Sequence, residues 1–219
     1  MINNVIFDLD GTLLDTSRGI LESVDHTISE MGLKPISMDE ALSFIGPPLR
    51  RSFIGICGCT EEEVQRATEI FRSHYQNGAV LHAQEYEGIG WLCERLDERG
   101  IRMGVATNKP QRFAEALLKE FGLIGFFDSV CGADESGRLS KADLIRRCMA
   151  GMGASREETV LVGDTDNDVV GAESAGVKFI AVTYGFGFKK ASDLENIKYI
   201  GSADTPSKVF EIIMDKEIT

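Results

Sequence analysis

Short apolar runs alternate along this chain with segments whose apolar residues recur every three or four positions. Val5-Ile6-Phe7 is the first run; Ile101–Ala106, Ser129–Cys131, Val160–Val162 and Phe179–Val182 repeat it, giving five expected strands. Helical spacing runs through Ile89, Leu92, Cys93 and Leu96 to Gly100, from Pro110 to near Gly122, from Lys141 to Met149, and after Val162 to Gly176. Thr205-Pro206 opens a last helix. Apolar residues three and four apart line one helix face. Glycine suits the position just past a helix, and proline suits the first turn. Strands alternating with helices imply a parallel sheet with right-handed crossovers, and uninterrupted apolar strands fit a sheet covered on both faces. The expected fold class is therefore α/β, a doubly wound, Rossmann-like parallel sheet.

One stretch breaks the alternation. From Asp15 to about Gln84 the pattern is helical, with Ile20, Val24, Ile28 and Met31 in step. Ser37-x-x-Glu40 and Thr60-x-x-Glu63 have the spacing of capping boxes that start two further helices. An all-helical domain at 15–84 is expected, inserted after the first strand of a core made from 1–14 and 85–219.

Composition narrows the function classes. The 219 residues are 43% hydrophobic and 26% charged, the balance of a globular domain. No apolar run approaches the ~18 residues of a membrane span. No basic segment followed by an apolar stretch marks the N-terminus as a secretory signal, so a cytoplasmic protein is expected. Lys and Arg number 23 against 35 Asp and Glu, a net charge of −12 that argues against nucleic-acid or polybasic membrane binding. An anionic substrate is still allowed, because surface charge is screened over about 8 Å. The five cysteines (57, 59, 93, 131 and 148) are scattered and read as reduced apolar residues. Neither they nor His26, His74 and His82 show metal-ligand spacing.

Chemistry collects where the strands end. Asp8 and Asp10 follow the first strand at i and i+2, on one face of extended chain. Two such acids repel unless a cation lies between them or one keeps a proton. Gly11 permits a turn and Thr12 offers a hydroxyl. The second strand ends in Thr107-Asn108-Lys109, expected also to cap the next helix, and the fourth ends in Gly163-Asp164-Thr165-Asp166-Asn167-Asp168. Lys141 heads the helix after the third strand. Ligands of open α/β sheets sit at these carboxyl ends, so the residues should share one crevice. Asp164–Asp168 does not continue as a calcium loop, since Val169 and Ala175 stand where glycine and glutamate belong. Gly185-x-Gly187 lacks the third glycine and acidic partner of a dinucleotide site.

Asp8-x-Asp10-Gly11-Thr12, Thr107, Lys141 and Asp164–Asp168, in this order, resemble the four motifs of the haloacid dehalogenase superfamily. The resemblance implies Asp8 as a nucleophile forming an aspartyl-phosphate, and Asp10 as the acid and base. Thr107 and Asn108 would bind the phosphoryl group and Lys141 would neutralise it. Mg2+ would be held by Asp8, the carbonyl of Asp10 and Asp164, with Asp168 behind them. Lys141 is followed by Ala142 where many relatives have proline, which makes Lys109 a rival for the phosphate-binding cation. The helical insert, with Phe44-Ile45-Gly46-Pro47-Pro48-Leu49-Arg50, is similar to the cap of phosphoglycolate phosphatases and 5′-nucleotidases. This resemblance implies a magnesium-dependent phosphatase of a small metabolite, with phosphoglycolate as first choice and Gly46, Pro47, Arg50 and Arg51 as candidate specificity residues. A nucleoside 5′-monophosphate, pyrophosphate or a sugar phosphate are the alternative substrates. Phosphomutase and non-catalytic binding protein are the alternative classes. A monomer or homodimer is expected.

Overall fold

Val5, Ile6 and Phe7 have no exposed surface. They form most of β1 (Asn4–Phe7), a central strand in the computed structural model, which describes residues 1–134 and 138–215. The chain then passes through β2 (Leu14–Asp15) and comes back through β3 (Gln84–Glu85), two short strands that pair with each other. Between them lie α1 (Ser17–Met31), α2 (Met38–Leu42), α3 (Leu49–Gly55) and α4 (Glu61–Gln76). After β3 come α5 (Ile89–Glu98), β4 (Arg102–Pro110), α6 (Gln111–Glu120), β5 (Ser129–Ala133) and α7 (Lys141–Met152). The chain continues through β6 (Thr159–Gly163), α8 (Asp166–Ala175), β7 (Lys178–Val182), β8 (Gly201–Ala203) and α9 (Pro206–Asp215). Contacts divide the chain into two units, residues 1–14 with 85–219, and residues 15–84.

The large sheet is parallel, in the order β5-β4-β1-β6-β7-β8. This is the doubly wound architecture that the alternating pattern implies. Phe7 lies opposite Val105 on β4 and Val162 on β6, so β1 and β6 end at nearly one level while β4 runs past them. The strand order reverses beside β1, and a crevice opens where crossovers depart in opposite directions. Ile6, Ala106, Leu161, Phe179 and Ala181 pack under Leu144, Ile145 and Cys148 of α7 and Val169 and Ala172 of α8. Burial on both faces, at about 1.5–3 kcal/mol for each large aliphatic side chain, holds the strand ends rigidly enough to carry a polar site.

Three differences from the sequence reading have physical causes. β8 was not expected, because Gly201-Ser202-Ala203 has neither alternation nor β-branched residues; its pairing with β7 makes it a strand. β4 runs on through Thr107-Asn108-Lys109 to Pro110, with a register shift against β5 after Thr107. Consequently Thr107 and Asn108 do not cap α6. Pro110 occupies the N-cap, before the first turn, and the Thr107 hydroxyl accepts the Lys109 N–H at 3.1 Å.

Both capping boxes read from the sequence of the helical unit are formed. Thr60 Oγ1 accepts the Glu63 N–H at 3.3 Å, and the Glu63 carboxylate accepts the Thr60 N–H at 2.8 Å. They start α4, whose Val64, Ala67, Phe71 and Tyr75 are buried. Thr60→Ala should cost about 1 kcal/mol, read from the urea midpoint of this unit. Thr60→Ser, which keeps the acceptor, should retain the wild-type midpoint.

Candidate active site

Asp8 extends β1 by one more ladder bond, its N–H donating to the Val162 carbonyl at 2.9 Å. This aims a carboxylate from the centre of the sheet into the crevice, where Asp8 is 7% exposed. α7 starts from a capping box of Ser140 and Asp143 that leaves Lys141 in its first position. Lys141 Nζ stands 2.7 Å from Asp8 Oδ1 and 2.7 Å from Asp168 Oδ1. A second lysine follows the same logic on the next strand: Lys109 Nζ lies 2.8 and 3.1 Å from the two oxygens of Asp10. The two candidate cations therefore serve different acids.

Asp164 follows the last residue of β6 and is fully buried. Its Oδ2 accepts the N–H groups of Phe186 at 2.7 Å and Gly187 at 3.1 Å, while Oδ1 faces the Thr12 hydroxyl at 3.4 Å. Asp168 Oδ2 accepts the N–H and hydroxyl of Thr165 at 3.1 and 2.7 Å, a capping box at the start of α8. One oxygen from each of Asp8, Asp164 and Asp168 lies within 4.8 Å of the others.

Among the described residues, the four aspartates Asp8, Asp10, Asp164 and Asp168, when all are ionised, outnumber Lys109 and Lys141 by two. Burial pushes Asp8 up to about 7; Lys141 opposes this, and the three other aspartates add to it. Burial likewise lifts Asp164 to about 6, with Asp168 adding and the Gly187 and Phe186 amides opposing. On Lys141 burial disfavours the charge, but Asp168 and Asp8 outweigh it and the ammonium is held more firmly than usual. Asp8 Oδ1 and Asp168 Oδ1 are buried and lack a well-directed hydrogen bond, their contact with Lys141 being an ion pair. An all-oxygen donor set with two surplus negative charges fits a hard divalent cation. Asp168 has one oxygen on Thr165 and the other on Lys141, which leaves Asp8 and Asp164 the better-placed donors.

The structure thus brings together Asp8, Lys141, Asp164 and Asp168, and pairs Asp10 with Lys109. The Asp10 carboxylate is directed at Lys109 and is not one of the three clustered acids. Thr107 is buried on β4, and because its oxygen accepts from Lys109 N–H its own hydrogen remains for another acceptor. Asn108 is half-buried beside it. Gly46, Pro47, Arg50 and Arg51 lie in the helical unit. Gly46 has φ of 98°, Pro47 is exposed, and both arginines are exposed in the first turn of α3, with Arg50 paired to Glu61. Sequence reasoning missed the amides of Phe186 and Gly187. The signal was present in Tyr184-Gly185-Phe186-Gly187, which was weighed as a dinucleotide motif and as a mark of resemblance but not as a turn that holds a carboxylate.

The family profile for haloacid dehalogenase-like hydrolases matches residues 5–182. The chain belongs to that family. A 5′-nucleotidase from Pseudomonas aeruginosa is 34% identical over 185 residues, 84% of each chain. A phosphoglycolate phosphatase from Agrobacterium fabrum is 33% identical over 187 residues, 83% of this chain and 80% of that one. The tyrosine-protein kinase PtkA of Mycobacterium tuberculosis is 32% identical over 212 residues, 95% of this chain and 72% of that one. Among solved structures, a haloacid dehalogenase-like hydrolase from Streptococcus pneumoniae superposes with a TM-score of 0.88 at 30% identity, covering 96% of this chain and 97% of that one.

The raised aspartates set a pH dependence. Between the ordinary carboxylate value of 3.8 and about 7, folded Asp8 keeps a proton that the unfolded chain has released. Their contribution to the stability of metal-free protein therefore falls as pH rises through that window, Asp164 adding to the fall up to about 6. A divalent cation held by these carboxylates would take the place of those protons. Mg2+ should raise the melting temperature more at about pH 7.5 than at about pH 5, as thermal denaturation with and without a chelator will show. Equal gains at both would contradict the charge balance.

Proposed function

We propose that the protein is a Mg2+-dependent phosphatase that hydrolyses a small phosphorylated metabolite through an aspartyl-phosphate. The observation that carries this is the Asp8 carboxylate at the end of the central strand, held by Lys141 beside Asp164 and Asp168 in a site with two surplus negative charges. Asp8, Asp164 and the main-chain carbonyl of Asp10 would hold the cation. When bound, it supplies charge neutralisation to the phosphoryl oxygens.

The chain's own residues divide the remaining work. Asp8 is the nucleophile: its oxygen bonds to phosphorus as the bond from phosphorus to the leaving oxygen breaks. Lys141 favours the ionised form of Asp8, opposing the burial that favours its neutral form. Asp10 in its protonated form gives that proton to the leaving oxygen; the carboxylate that remains, the form Lys109 pairs with, then takes a proton from the water that attacks phosphorus and frees Asp8 and phosphate. Thr107 donates its hydroxyl hydrogen to a phosphoryl oxygen, with Asn108 alongside. Asp168 holds Lys141 and stays out of the reaction. Phosphoryl transfer needs mostly such positioning and charge neutralisation.

Phosphoglycolate is the substrate we place first, with a nucleoside 5′-monophosphate second; a phosphoglycolate phosphatase and a 5′-nucleotidase are among the relatives. Arg50 and Arg51 offer the planar fork that suits a carboxylate. The pairing of Arg50 with Glu61 does not remove it, because both side chains are more than half exposed and such pairs are worth at most about 1 kcal/mol.

Purified protein should hydrolyse phosphoglycolate faster than mononucleotides, pyrophosphate or sugar phosphates, and only with Mg2+. Asp8→Asn should lose all turnover while keeping its circular dichroism spectrum; turnover near the wild-type rate in that variant refutes the mechanism. Lys141→Met should lower kcat by roughly 10²–10³-fold, the scale of losing one electrostatic stabiliser. Lys109→Met should cost less. A greater loss at Lys109 would exchange the roles of the two lysines.

A further inference from the structure

The two oxygens of Asp164 are held in different ways. Oδ2 is committed to two main-chain N–H groups, Phe186 at 2.7 Å and Gly187 at 3.1 Å, in the turn that follows β7. Oδ1 has one longer contact, the Thr12 hydroxyl at 3.4 Å, and keeps lone pairs for a cation. The turn is itself tied down. The Tyr184 hydroxyl donates to the Thr12 carbonyl at 3.0 Å, Phe188 N–H donates to the Asp164 carbonyl at 2.8 Å, and the Lys189 ammonium bonds the Gly185 carbonyl. A closed ring results, running from Tyr184 to Thr12, to Asp164 and back to the turn.

There is no slack in that ring. A Cβ on Gly185 would overlap the Gly11 carbonyl oxygen and come within 2.6 Å of Asp164 Cβ. One on Gly187 would overlap the Asp164 carbonyl oxygen. Gly11, at φ of 84°, packs so closely that its own Cβ would come within 2.8 Å of both the Asp164 carboxyl carbon and the Phe186 ring. At Gly185 and Gly187 the main chain after β7 therefore lies directly against the Gly11 carbonyl at the exit from β1 and against Asp164.

We propose that Tyr184, Gly185 and Gly187 are positioning residues of the cation site, and that by fixing Asp164 Oδ1 they make it prefer Mg2+ to Ca2+. The proposal rests on the reading of Asp8 and Asp164 as ligands. Mg2+ demands near-octahedral oxygens at about 2.0–2.1 Å, whereas Ca2+ accepts about 2.3–2.6 Å and irregular geometry. A carboxylate clamped at one oxygen by two amides serves the first ion. A carboxylate free to swing serves the second.

The test is titration calorimetry of metal-free, full-length protein with magnesium chloride and with calcium chloride. Gly187→Ala should weaken Mg2+ binding by roughly 10–100-fold, the usual effect of disturbing a ligand's support. Tyr184→Phe, which removes one hydroxyl and leaves the turn's main chain unaltered, should weaken it less. Ca2+ binding should change little in either, so the Mg2+-to-Ca2+ affinity ratio falls. Ile213→Val, in the buried face of α9, should lower the melting temperature without moving the ratio. In an Asp164→Asn background, Gly187→Ala should add no further loss. If Gly187→Ala does not fold, the ratio in Tyr184→Phe decides. Wild-type Mg2+ binding with an unchanged ratio in the folded variants overturns the positioning role alone. Wild-type protein that binds neither ion overturns the cation reading, and this inference with it.

Discussion

Four carboxylates share one end of the sheet, and mutual repulsion with loss of solvation is the constraint the rest of the core has to meet. A buried charge left unpaired costs several kcal/mol. Each acid here is met by a fixed positive partner or by hydrogen-bond donors: Lys141 for Asp8 and Asp168, Lys109 for Asp10, and two main-chain amides for Asp164. That compensation is incomplete: burial, with the neighbouring aspartates adding to it, holds Asp8 and Asp164 above the usual carboxylate range. A protein selected for stability alone would gain by replacing such a cluster with apolar side chains of similar volume. Keeping it makes sense where a cation and a phosphoryl group are to be bound.

The same constraint explains why these partners come from so many elements. β1 supplies the first acid, the chain just beyond β6 supplies Asp164, and α8 supplies Asp168 from its third position, where it also closes a capping box. The lysines arrive from the end of β4 and the head of α7. In-register pairing of β1 with β4 and β6 fixes where these residues leave the sheet. A one-residue slip in any of the three strands would turn its terminal side chain to the other face. The apolar packing under α7 and α8 therefore protects the site's geometry as much as the stability of the core.

How much of this was legible follows from which interactions are local. Strand ends, helix periodicity and capping boxes are written in residues a few positions apart, so the parallel sheet, the helical stretch from 15 to 84 and the identity of the clustered acids could be read directly. β8 could not, because three small residues become a strand only by pairing with β7. Nor could the division of labour between Lys109 and Lys141, which depends on where two flexible side chains end in space. The capping role expected of Thr107 failed because β4 continues past it, a consequence of pairing with β5. The amides that hold Asp164 carry no side-chain signature at all; only the glycines that let them approach are visible in the sequence.

Relatives at similar identity bear the names nucleotidase, phosphoglycolate phosphatase and tyrosine-protein kinase. A spread of names over one architecture is what the core residues lead one to expect. Asp8, Asp10, Lys141 and Asp164 are suited to a phosphoryl group and a cation, which every phosphate ester chemistry shares, and none of them offers a contact to distinguish one leaving group from another. Discrimination must come from residues that differ in shape and polarity beyond the phosphoryl position. In this chain the helical unit holds exposed arginines on a helix introduced by Pro47-Pro48, where two prolines restrict the main chain. A fork-shaped cation on a stiffened segment suits a carboxylate better than a neutral sugar or a base. On that ground the proposed preference for a carboxylate puts its weight on Arg50 and Arg51, just as the proposed chemistry puts its weight on the sheet end.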